Sequence, residues 1–353
     1  MAHRHPKKIS AILILIALGV VLFCPAWSGA EQQLTMTFVG DVTLGGENRL
    51  QELDDSFTGF AHREGHDYFL ENVRSLFSAD DITVINLEGT LTDSAAQENR
   101  GKTYRFRADT DLIDVLTGSS VEACCIANNH TMDFGNQGFR STHEVLDKAG
   151  IGYFGRNEVY IWEGKGLRIG FVAIPSEELG NKHELYEKKI ASLKEQGLNA
   201  VIVSLHMGAE YRTQHNSSQT WAATKMIGAG ADLIIMHHPH VLQGIDMIGN
   251  RTVFYSLGNF CFGGNRKVRA LESMIVSATL TFSDDGTYLG QQFTLYPAHI
   301  SGDELVNDFH PFTVTGSEAE KVMALVQNDT AFSLPEPDAD TGTVDLPYLP
   351  AKP

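Results

Sequence analysis

The sequence is short of cysteine. Only four cysteines occur in 353 residues, and three of them, Cys124, Cys125 and Cys261, lie after the N-terminal segment. An odd number without a C-x-x-C spacing excludes an ordinary disulfide framework and gives no pattern for a redox or thiolate metal site. We therefore expect these three side chains to be small buried residues.

Basic residues are also scarce. Lysine and arginine number 27 against 44 aspartates and glutamates, which gives a formal charge of −17. The first 30 residues hold three of the basic ones, so 24 remain against 44 without that segment, a charge of about −20. A chain this acidic is poorly suited to a nucleic-acid backbone, and we expect no nucleic-acid partner. An anionic substrate would need a local positive feature such as bound metal ions.

No apolar run has a comfortable length for a membrane span. Residues 9–23 form a nearly continuous apolar run that follows a short basic stretch and precedes the small residues 28–30. This pattern predicts a signal peptide over residues 1–30, cleaved before Glu31. The protein would then be exported, either to a periplasm or out of the cell. The alternative is an uncleaved segment that anchors the N-terminus in a membrane.

Strand-like apolar runs alternate with helix-like stretches from residue 35 onward, which is typical of an α/β domain with a buried sheet. Strands are predicted at 34–39, 82–87, 123–127, 168–173, 200–205, 233–236 and 252–256, and helices at 69–77, 110–116, 138–149, 186–196 and 218–229. Residues 274–282 and 288–296 alternate around an Asp-Asp-Gly turn and predict a hairpin. We expect one domain over 31–332, followed by a disordered Pro- and Asp-rich tail over 333–353.

Side chains that can bind metals follow five of the predicted strands. They are Asp41, Glu88, Asn129 with His130, His206, and His238 with His240. Ligands of open α/β sheets bind at the carboxyl ends of the strands. Each motif alone has an ordinary explanation as a turn or a cap, but carboxylates, an amide and imidazoles on successive strand ends predict one site with two adjacent cations. Pro239 is expected to keep the backbone extended, so that His238 and His240 point the same way.

Three longer motifs make the chain similar to a known family. They are Ala127-Asn-Asn-His-Thr-Met-Asp-Phe-Gly135, His238-Pro-His-Val-Leu-Gln243 and Tyr255-Ser-Leu-Gly-Asn-Phe260. Together with Asn86-Leu-Glu88 and His206-x-Gly-x-Glu210, they resemble the CapA, or poly-γ-glutamate capsule synthesis, proteins, which share the calcineurin-like metallophosphoesterase architecture. The resemblance covers nearly all of residues 35–262. It implies a four-layer α/β sandwich in which two packed mixed sheets are flanked by helices.

The resemblance also implies a role for each residue of the site. The ligands of a first metal would be Asp41 and His240, the bridging carboxylate Glu88, and the ligands of a second metal Asn129, His206 and His238. His130 corresponds to the unligated histidine that acts as general acid or contacts the substrate oxyanion. The implied cofactor is one or two divalent ions of manganese, zinc or iron.

Two departures from that pattern concern the first metal. Thr43 stands where the superfamily has a metal-binding histidine, and Glu88 replaces a shorter bridging aspartate. A site with fewer ligands and altered geometry binds its ion less tightly. Stable binding of two metals is therefore in question, and a single-metal site is the alternative.

Four further residues are candidates for supporting roles. Asp133, three residues after His130, would fix the tautomer of that imidazole, which makes the two a candidate catalytic pair. Glu210, Asn259 and Arg107 are candidate substrate-binding residues. Each also has an ordinary alternative, respectively as a cap, a turn former or part of a solvated face.

The sequence leaves three functions open. The first is an exported CapA-like protein that helps to make, export or process an extracellular anionic polymer through a metal-dependent hydrolase-like site, with membrane-bound synthesis machinery as a candidate partner. The second is a metal-dependent phosphoesterase with another substrate. The third is a non-catalytic module that binds polymer through its metal. An enzyme would lose activity but keep its metal when His130 is replaced.

Overall fold

The computed structural model describes residues 31–351, together with Met1. The predicted signal peptide over residues 1–30 therefore lies, apart from Met1, outside the described residues. Within the described part, no helix combines the length and the hydropathy that crossing a membrane requires.

The described chain alternates strands with helices. The strands are β1 (Gln32–Thr43), β2 (Gly46–Glu47), β3 (Ile82–Leu87), β4 (Thr90–Leu91), β5 (Phe106–Ala108), β6 (Ala123–Cys125), β7 (Gly152–Phe154), β8 (Tyr160–Gly164), β9 (Leu167–Pro175), β10 (Ala200–His206), β11 (Leu233–His237), β12 (Ile245–Ile248), β13 (Arg251–Phe254), β14 (Asn259–Phe262), β15 (Glu272–Phe282), β16 (Tyr288–His299), β17 (Phe312–Thr313) and β18 (Val344–Pro350). The α-helices are α1 (Phe57–Glu64), α2 (Arg74–Phe77), α3 (Asp114–Thr117), α4 (Gly135–Ala149), α5 (Ser176–Glu195), α6 (Ser217–Gly228) and α7 (Gly316–Gln327).

Two mixed sheets carry most of these strands. The first runs in the order β17-β16-β15-β1-β3-β6-β7, with β14 beside β1 and β18 beside β16, and the second runs β12-β13-β11-β10-β9-β8. Strands β1, β3, β6 and β7 are mutually parallel, and so are β9, β10, β11 and β13. The carboxyl ends of the parallel strands therefore share one edge in each sheet, where a ligand site is expected.

Alternating side chains sort into three apolar layers. Phe38 and Ile202 belong to the layer that joins the two sheets, whereas Val39, the next residue along β1, packs with the helices that cover the first sheet. Val203, the next residue along β10, packs with α5 and α6 on the far face of the second sheet. The order helix, sheet, sheet, helix confirms the predicted four-layer α/β fold, because period-two alternation places apolar groups on both faces of each sheet.

Two predicted helices are shorter than expected. The predicted helix 69–77 is replaced by a 3-10 turn, His66–Leu70, and the four-residue helix α2. The predicted helix 110–116 is replaced by a 3-10 turn, Thr110–Ile113, and the four-residue helix α3. Segments this short gain little from α-helical propagation and often tighten into 3-10 geometry. The predicted hairpin is confirmed, since β15 and β16 pair antiparallel along their whole length.

The expectation of a disordered tail is wrong for its second half. Residues Val344–Pro350 form β18, which pairs antiparallel with β16, and Val344 and Leu346 are buried against the layer between the sheets. Pro347 and Pro350 are compatible with this position because an edge strand has one side without ladder partners. Composition alone therefore hid a short alternating strand.

Candidate metal centre

The predicted metal ligands meet at the carboxyl edge of the two sheets. Asp41 lies near the end of β1, Glu88 directly follows β3, and His206 is the last residue of β10. The residues that follow β6 and β11 supply the rest of the set, namely Asn129, His130, His238 and His240. The predicted placement on strand ends is therefore confirmed, with both sheets contributing.

Asp41 is positioned by a close approach of two backbones. Strand β1 is irregular between Phe38 and Asp41, and the Asp41 N–H donates to the Gly258 carbonyl at 2.9 Å. A Cβ on Gly40 would lie 2.3 Å from that same carbonyl oxygen, so no larger residue fits there. Gly40 thus lets β14 pair with the end of β1 and aims the Asp41 carboxylate between the sheets.

Glu88 is the clearest indication that the cluster could hold a cation. Its side chain is fully buried, and neither carboxylate oxygen has a hydrogen-bond partner within the described residues. Nε2 of the predicted ligands His206 and His240 lies 3.5 and 4.0 Å from Glu88 Oε1, and Nε2 of the predicted unligated His130 lies 3.7 Å away. Two ligands about 2.1 Å from a shared ion lie about as far apart as His206 and Glu88, whereas hydrogen-bonded atoms lie closer. Burial and the nearby Asp41 charge raise the pKa of Glu88 well above its usual range, so the site fits a metal.

Three other predicted ligands lie within contact distance of each other. His206 Nε2 lies 2.8 Å from Asn129 Oδ1 and 3.1 Å from His238 Nδ1. Burial, followed by the nearby His238, lowers the pKa of His206 well below its usual range, which leaves the neutral imidazole that binds metals. Nitrogen and amide oxygen atoms in this arrangement suit the second cation of the predicted pair.

The two oxygens of Asp41 have different neighbours. Oδ1 accepts a hydrogen bond from Asn86 at 2.8 Å and lies 3.2 Å from His237 Nδ1, whereas Oδ2 lies 3.1 Å from His240 Nδ1. Burial would raise the pKa of Asp41, but the two histidines hold it well below the usual range. Burial likewise opposes protonation of His240, but Glu88 and Asp41 raise its pKa to about 10. In the metal-free chain, His240 therefore holds a proton where a cation fits.

The backbone of the His-Pro-His segment is not extended as predicted. His238 has φ 101° and His240 has φ 58°, both in the region that favours glycine. Left-handed conformations at non-glycine residues cost about 1–3 kcal/mol each and concentrate at functional sites. The two rings nevertheless lie 5.9 Å apart on the same cluster, so the predicted convergence is correct although its stated backbone cause is wrong.

Glu88 belongs to two overlapping ligand groups. Asp41, Glu88 and His206 form one group with atoms within 4.8 Å of each other, and Glu88, His238 and His240 form the other. Both groups share the Glu88 carboxylate, and the bridging role stays a prediction. The division of the histidines differs from the predicted one, which paired Asp41 with His240 and His206 with His238. Thr43, which replaces the expected histidine, donates its hydroxyl to the Glu88 carbonyl at 2.8 Å and offers no imidazole to the first site.

His130 and Asp133 form a buried pair beside the cluster. His130 Nδ1 lies 2.6 Å from Asp133 Oδ2, and the Phe106 ring stacks on the imidazole at 4.2 Å. Asp133 is held in turn by the Phe106 N–H at 2.8 Å and by Lys102 Nζ at 2.5 Å. Burial lowers the pKa of His130 despite the facing Asp133. The carboxylate fixes the proton on Nδ1 and leaves Nε2 facing Glu88.

The sequence of this chain matches the family described as bacterial capsule synthesis protein PGA_cap over residues 35–264. The chain belongs to the PGA_cap family. It is 28% identical over 295 residues to the capsule biosynthesis protein CapA of Bacillus anthracis, covering 73% of this chain and 69% of that protein. It is 27% identical over 293 residues to the PGA biosynthesis protein CapA of Bacillus subtilis, covering 73% and 74%.

One solved structure is also similar to this PGA_cap chain. It is a Staphylococcus aureus protein described as a 5′-nucleotidase in complex with alpha-ketoglutarate, with a TM-score of 0.45 and 11% sequence identity. The match covers 83% of this chain and 57% of that chain. The family match, not this structural likeness, establishes that the chain belongs to the PGA_cap family.

The three predicted substrate-binding residues have different positions. Glu210 is exposed, and its charge acts on His238. Asn259 is 2% exposed and accepts a hydrogen bond from His240 Nδ1 at 2.9 Å, so it orients that imidazole. The guanidinium of Arg107 binds Asn48, Gln51, Asp109 and the Thr92 carbonyl, none of which belongs to the metal centre, so the structure does not bring Arg107 to the cluster.

Sequence reasoning missed three residues that hold the centre in place. Asn86 donates to Asp41 and lies 3.3 Å from His206 Nδ1, His237 faces Asp41, and Lys102 binds both Asp133 and the Asn129 carbonyl. The signal for Asn86 was available, since it is a polar residue two positions before Glu88 at the end of an apolar strand. No comparable signal marks Lys102, which lies in a loop.

Proposed function

We propose that this chain is an exported accessory protein of capsule-type polymer synthesis that processes a γ-glutamyl polymer through a metal-dependent hydrolase site. The carrying observation is Glu88, a buried carboxylate without a hydrogen-bond partner in the described chain, surrounded by imidazoles. The substrate class is supported by the relatives, one of which is named a PGA biosynthesis protein and another, from Mycobacterium tuberculosis, a polyglutamine synthesis accessory protein.

The donor set decides which ions the site would hold. The two predicted sets share Glu88: Asp41 with His240, and Asn129 with His206 and His238. The distances in the structure also place His206 with Asp41 and His238 with His240, so the two sets overlap. Carboxylates, an amide and imidazoles without thiolates suit zinc, manganese or iron. Such ions supply Lewis-acid polarisation of an acyl or phosphoryl oxygen and activate a nucleophilic water.

The protein's own residues would supply orientation and proton transfer. The Nδ1–H of His130 donates to Asp133. Nε2 of His130, which faces Glu88, is therefore the atom that exchanges a proton with the substrate. Lys102 and the Phe106 N–H hold Asp133 from the other side. The stacked Phe106 ring keeps water from one face of the imidazole.

Metal content is the first measurement. Native chain purified without its first 30 residues should contain divalent metal by plasma mass spectrometry, and His206→Ala and His238→Ala should lose it. His215→Ala is a matched control, because His215 is paired with Asp329 outside the cluster. A native chain that stays metal-free after reloading with manganese, zinc or iron would contradict the proposal.

Catalysis is tested separately on His130. His130→Gln should retain the metal content of the native chain but lower polymer cleavage about 10²–10⁴-fold, the usual contribution of a general acid or base. Equal polymer binding without cleavage by either protein would favour a non-catalytic binding module. Cleavage of phosphoesters but not of γ-glutamyl oligomers would favour a phosphoesterase, which uses the same constellation of metal ligands.

Export is part of the proposal and has its own test. The basic, apolar and small-residue pattern of residues 1–30 supports a cleaved signal. Protein recovered from outside the cytoplasm should begin at Glu31. Recovery in the membrane fraction with an intact N-terminus would instead favour the anchored alternative, which would place the site close to membrane-bound synthesis machinery.

A further inference from the structure

Three residues from separate loops meet beside the metal centre. Arg269 donates from Nη1 to the Tyr211 hydroxyl at 3.4 Å, and its guanidinium lies 5.6 Å from the centre of the Tyr211 ring. The phenol of Tyr104, like that of Tyr211, raises the pKa of Arg269. All three side chains are exposed, with Tyr104 at 44% and Tyr211 at 36%. We refer to Tyr104, Tyr211 and Arg269 as the arginine bracket.

The bracket is attached to the metal centre through Tyr211. The Tyr211 ring lies 6.0 Å from the ring of His240, and its N–H donates to the Pro239 carbonyl at 2.8 Å. Tyr211 also has φ 57°, a left-handed conformation that an ordinary turn would not require of tyrosine. The strained turn therefore fixes the phenol, and through it Arg269, at a set position relative to a metal ligand.

The guanidinium of Arg269 keeps its full charge available. No carboxylate among residues 31–351 lies within 4.0 Å of it, whereas Arg266 pairs with Asp55 and Arg105 pairs with Glu98. Phenol oxygens accept hydrogen bonds from a guanidinium without neutralising it, and several of its five N–H groups stay available. In a chain with a formal charge of −17, an unneutralised arginine at this position is a specific feature.

We propose that the arginine bracket binds a carboxylate of the substrate that flanks the bond placed at the metal centre. The fork of a guanidinium matches two carboxylate oxygens, and the flanking tyrosines limit its orientation. A γ-linked glutamate chain carries a free α-carboxylate on every residue, so it offers such a group next to each linkage. This assignment rests on the proposed function, and it names Arg269 as the residue that selects an acidic polymer.

The test compares two oligomers of about ten residues, γ-linked glutamate and the same backbone with its α-carboxylates converted to amides. Calorimetry on the metal-loaded mature chain should give tighter binding of the acidic oligomer. Arg269→Gln should weaken that binding about tenfold, as expected for a charge-assisted contact, and leave the amide oligomer unchanged. Arg269→Lys should recover part of the loss, and Tyr211→Phe should weaken binding about two- to threefold.

Two controls separate this contact from other causes. Lys321→Gln removes the same charge from the exposed surface of α7 and should not change either affinity. Metal content should be the same in every variant, since none of the altered residues is a ligand.

The outcomes distinguish a failure of this inference from a failure of the proposed function. If the native chain prefers the acidic oligomer and Arg269→Gln binds it equally well, the inference is wrong and the proposed function stands. An equal loss for both oligomers would assign Arg269 to loop structure instead. If the native chain binds and cleaves neither oligomer, the proposed function fails and the inference fails with it.

Discussion

Two buried carboxylates at different places in the fold are treated differently. Asp232, just before β11, is 1% exposed and is bound by Lys194 at 2.9 Å, Arg251 at 3.1 Å and the Val201 N–H at 2.9 Å. Glu88 is 0% exposed and has no hydrogen-bond partner among the described residues. The fold neutralises Asp232 with two cations in direct contact. The protonated His240 lies 4.0 Å from Glu88 and closer to Asp41, at 3.1 Å, so the Glu88 oxygens remain available to a cation from outside the chain.

Replacing Glu88 should give the largest effect in this comparison. Glu88→Gln should abolish metal binding, a greater loss than the about 10- to 100-fold cost of changing an outer-shell partner. The same change should raise the free energy of unfolding of the metal-free chain by about 1–3 kcal/mol, because it removes a buried acid whose oxygens accept no hydrogen bond from the described residues. Plasma mass spectrometry and urea unfolding with chelator measure the two effects.

Glu210→Gln is the matched control for Glu88, since Glu210 is an exposed carboxylate at the same centre. It should change neither metal content nor stability measurably. A Glu88→Gln protein that destabilised the metal-free chain would show that Glu88 has an internal partner, and the comparison with Asp232 would fail.

Replacing Asp232 should give the opposite pattern. Asp232→Asn leaves Lys194 and Arg251 facing a neutral amide, so we expect the free energy of unfolding to fall by about 2–4 kcal/mol, somewhat less than for a fully buried pair because both cations are part-exposed. Metal content should not change. Glu318→Gln, which breaks an exposed pair with Lys321, should not change the free energy of unfolding measurably in the same assay.

Most of the fold could be predicted because the apolar periods are regular. β3 was predicted residue for residue, and β10 and β11 each to within one residue, since buried parallel strands are continuous apolar runs that end at a polar ligand. β18 was missed because its Pro-rich composition outweighed the alternation of Val344 and Leu346. Residues 344–350 form a strand because they pair with β16, which comes about 50 residues earlier in the chain, and composition gives no information about such pairing.

The site could be predicted to the extent that its residues follow strand ends. Lys102 and Arg269 were missed because they reach the centre from loops, through contacts to Asp133 and Tyr211 that lie 31 and 58 residues away along the chain. The left-handed backbone at His238 was also beyond sequence patterns, since ordinary turn preferences argue against histidine there. Contacts between distant loops therefore set the details of the centre, whereas strand ends set its location.

The smallest expected effect concerns a second pair of acids near the amino ends of the strands. Burial raises the pKa of Asp80 and of Glu122 to about 6 each. The charge of Asp81 adds to the shift of Asp80, and the charge of Asp80 adds to the shift of Glu122. Both accept hydrogen bonds from Thr83, Asp80 from the hydroxyl at 2.8 Å and Glu122 from the N–H at 2.7 Å. Unlike Asp232, neither has a salt-bridge partner among the described residues, so ionisation should be unfavourable at this end of the sheet.

The sign of the pH effect follows from the raised pKa values. Unfolded carboxyls titrate near pH 4, so the contribution of these two groups to stability is fully present below about pH 4 and is lost as pH rises through about 6. The double variant Asp80→Asn with Glu122→Gln keeps both acceptors for Thr83 but cannot ionise. Its melting temperature relative to the native chain should therefore rise between about pH 4 and about pH 7 and stay level above that. If the difference in melting temperature is the same at about pH 4 and at about pH 7, the two acids ionise without cost, which would mean that water solvates them at this edge of the sheet.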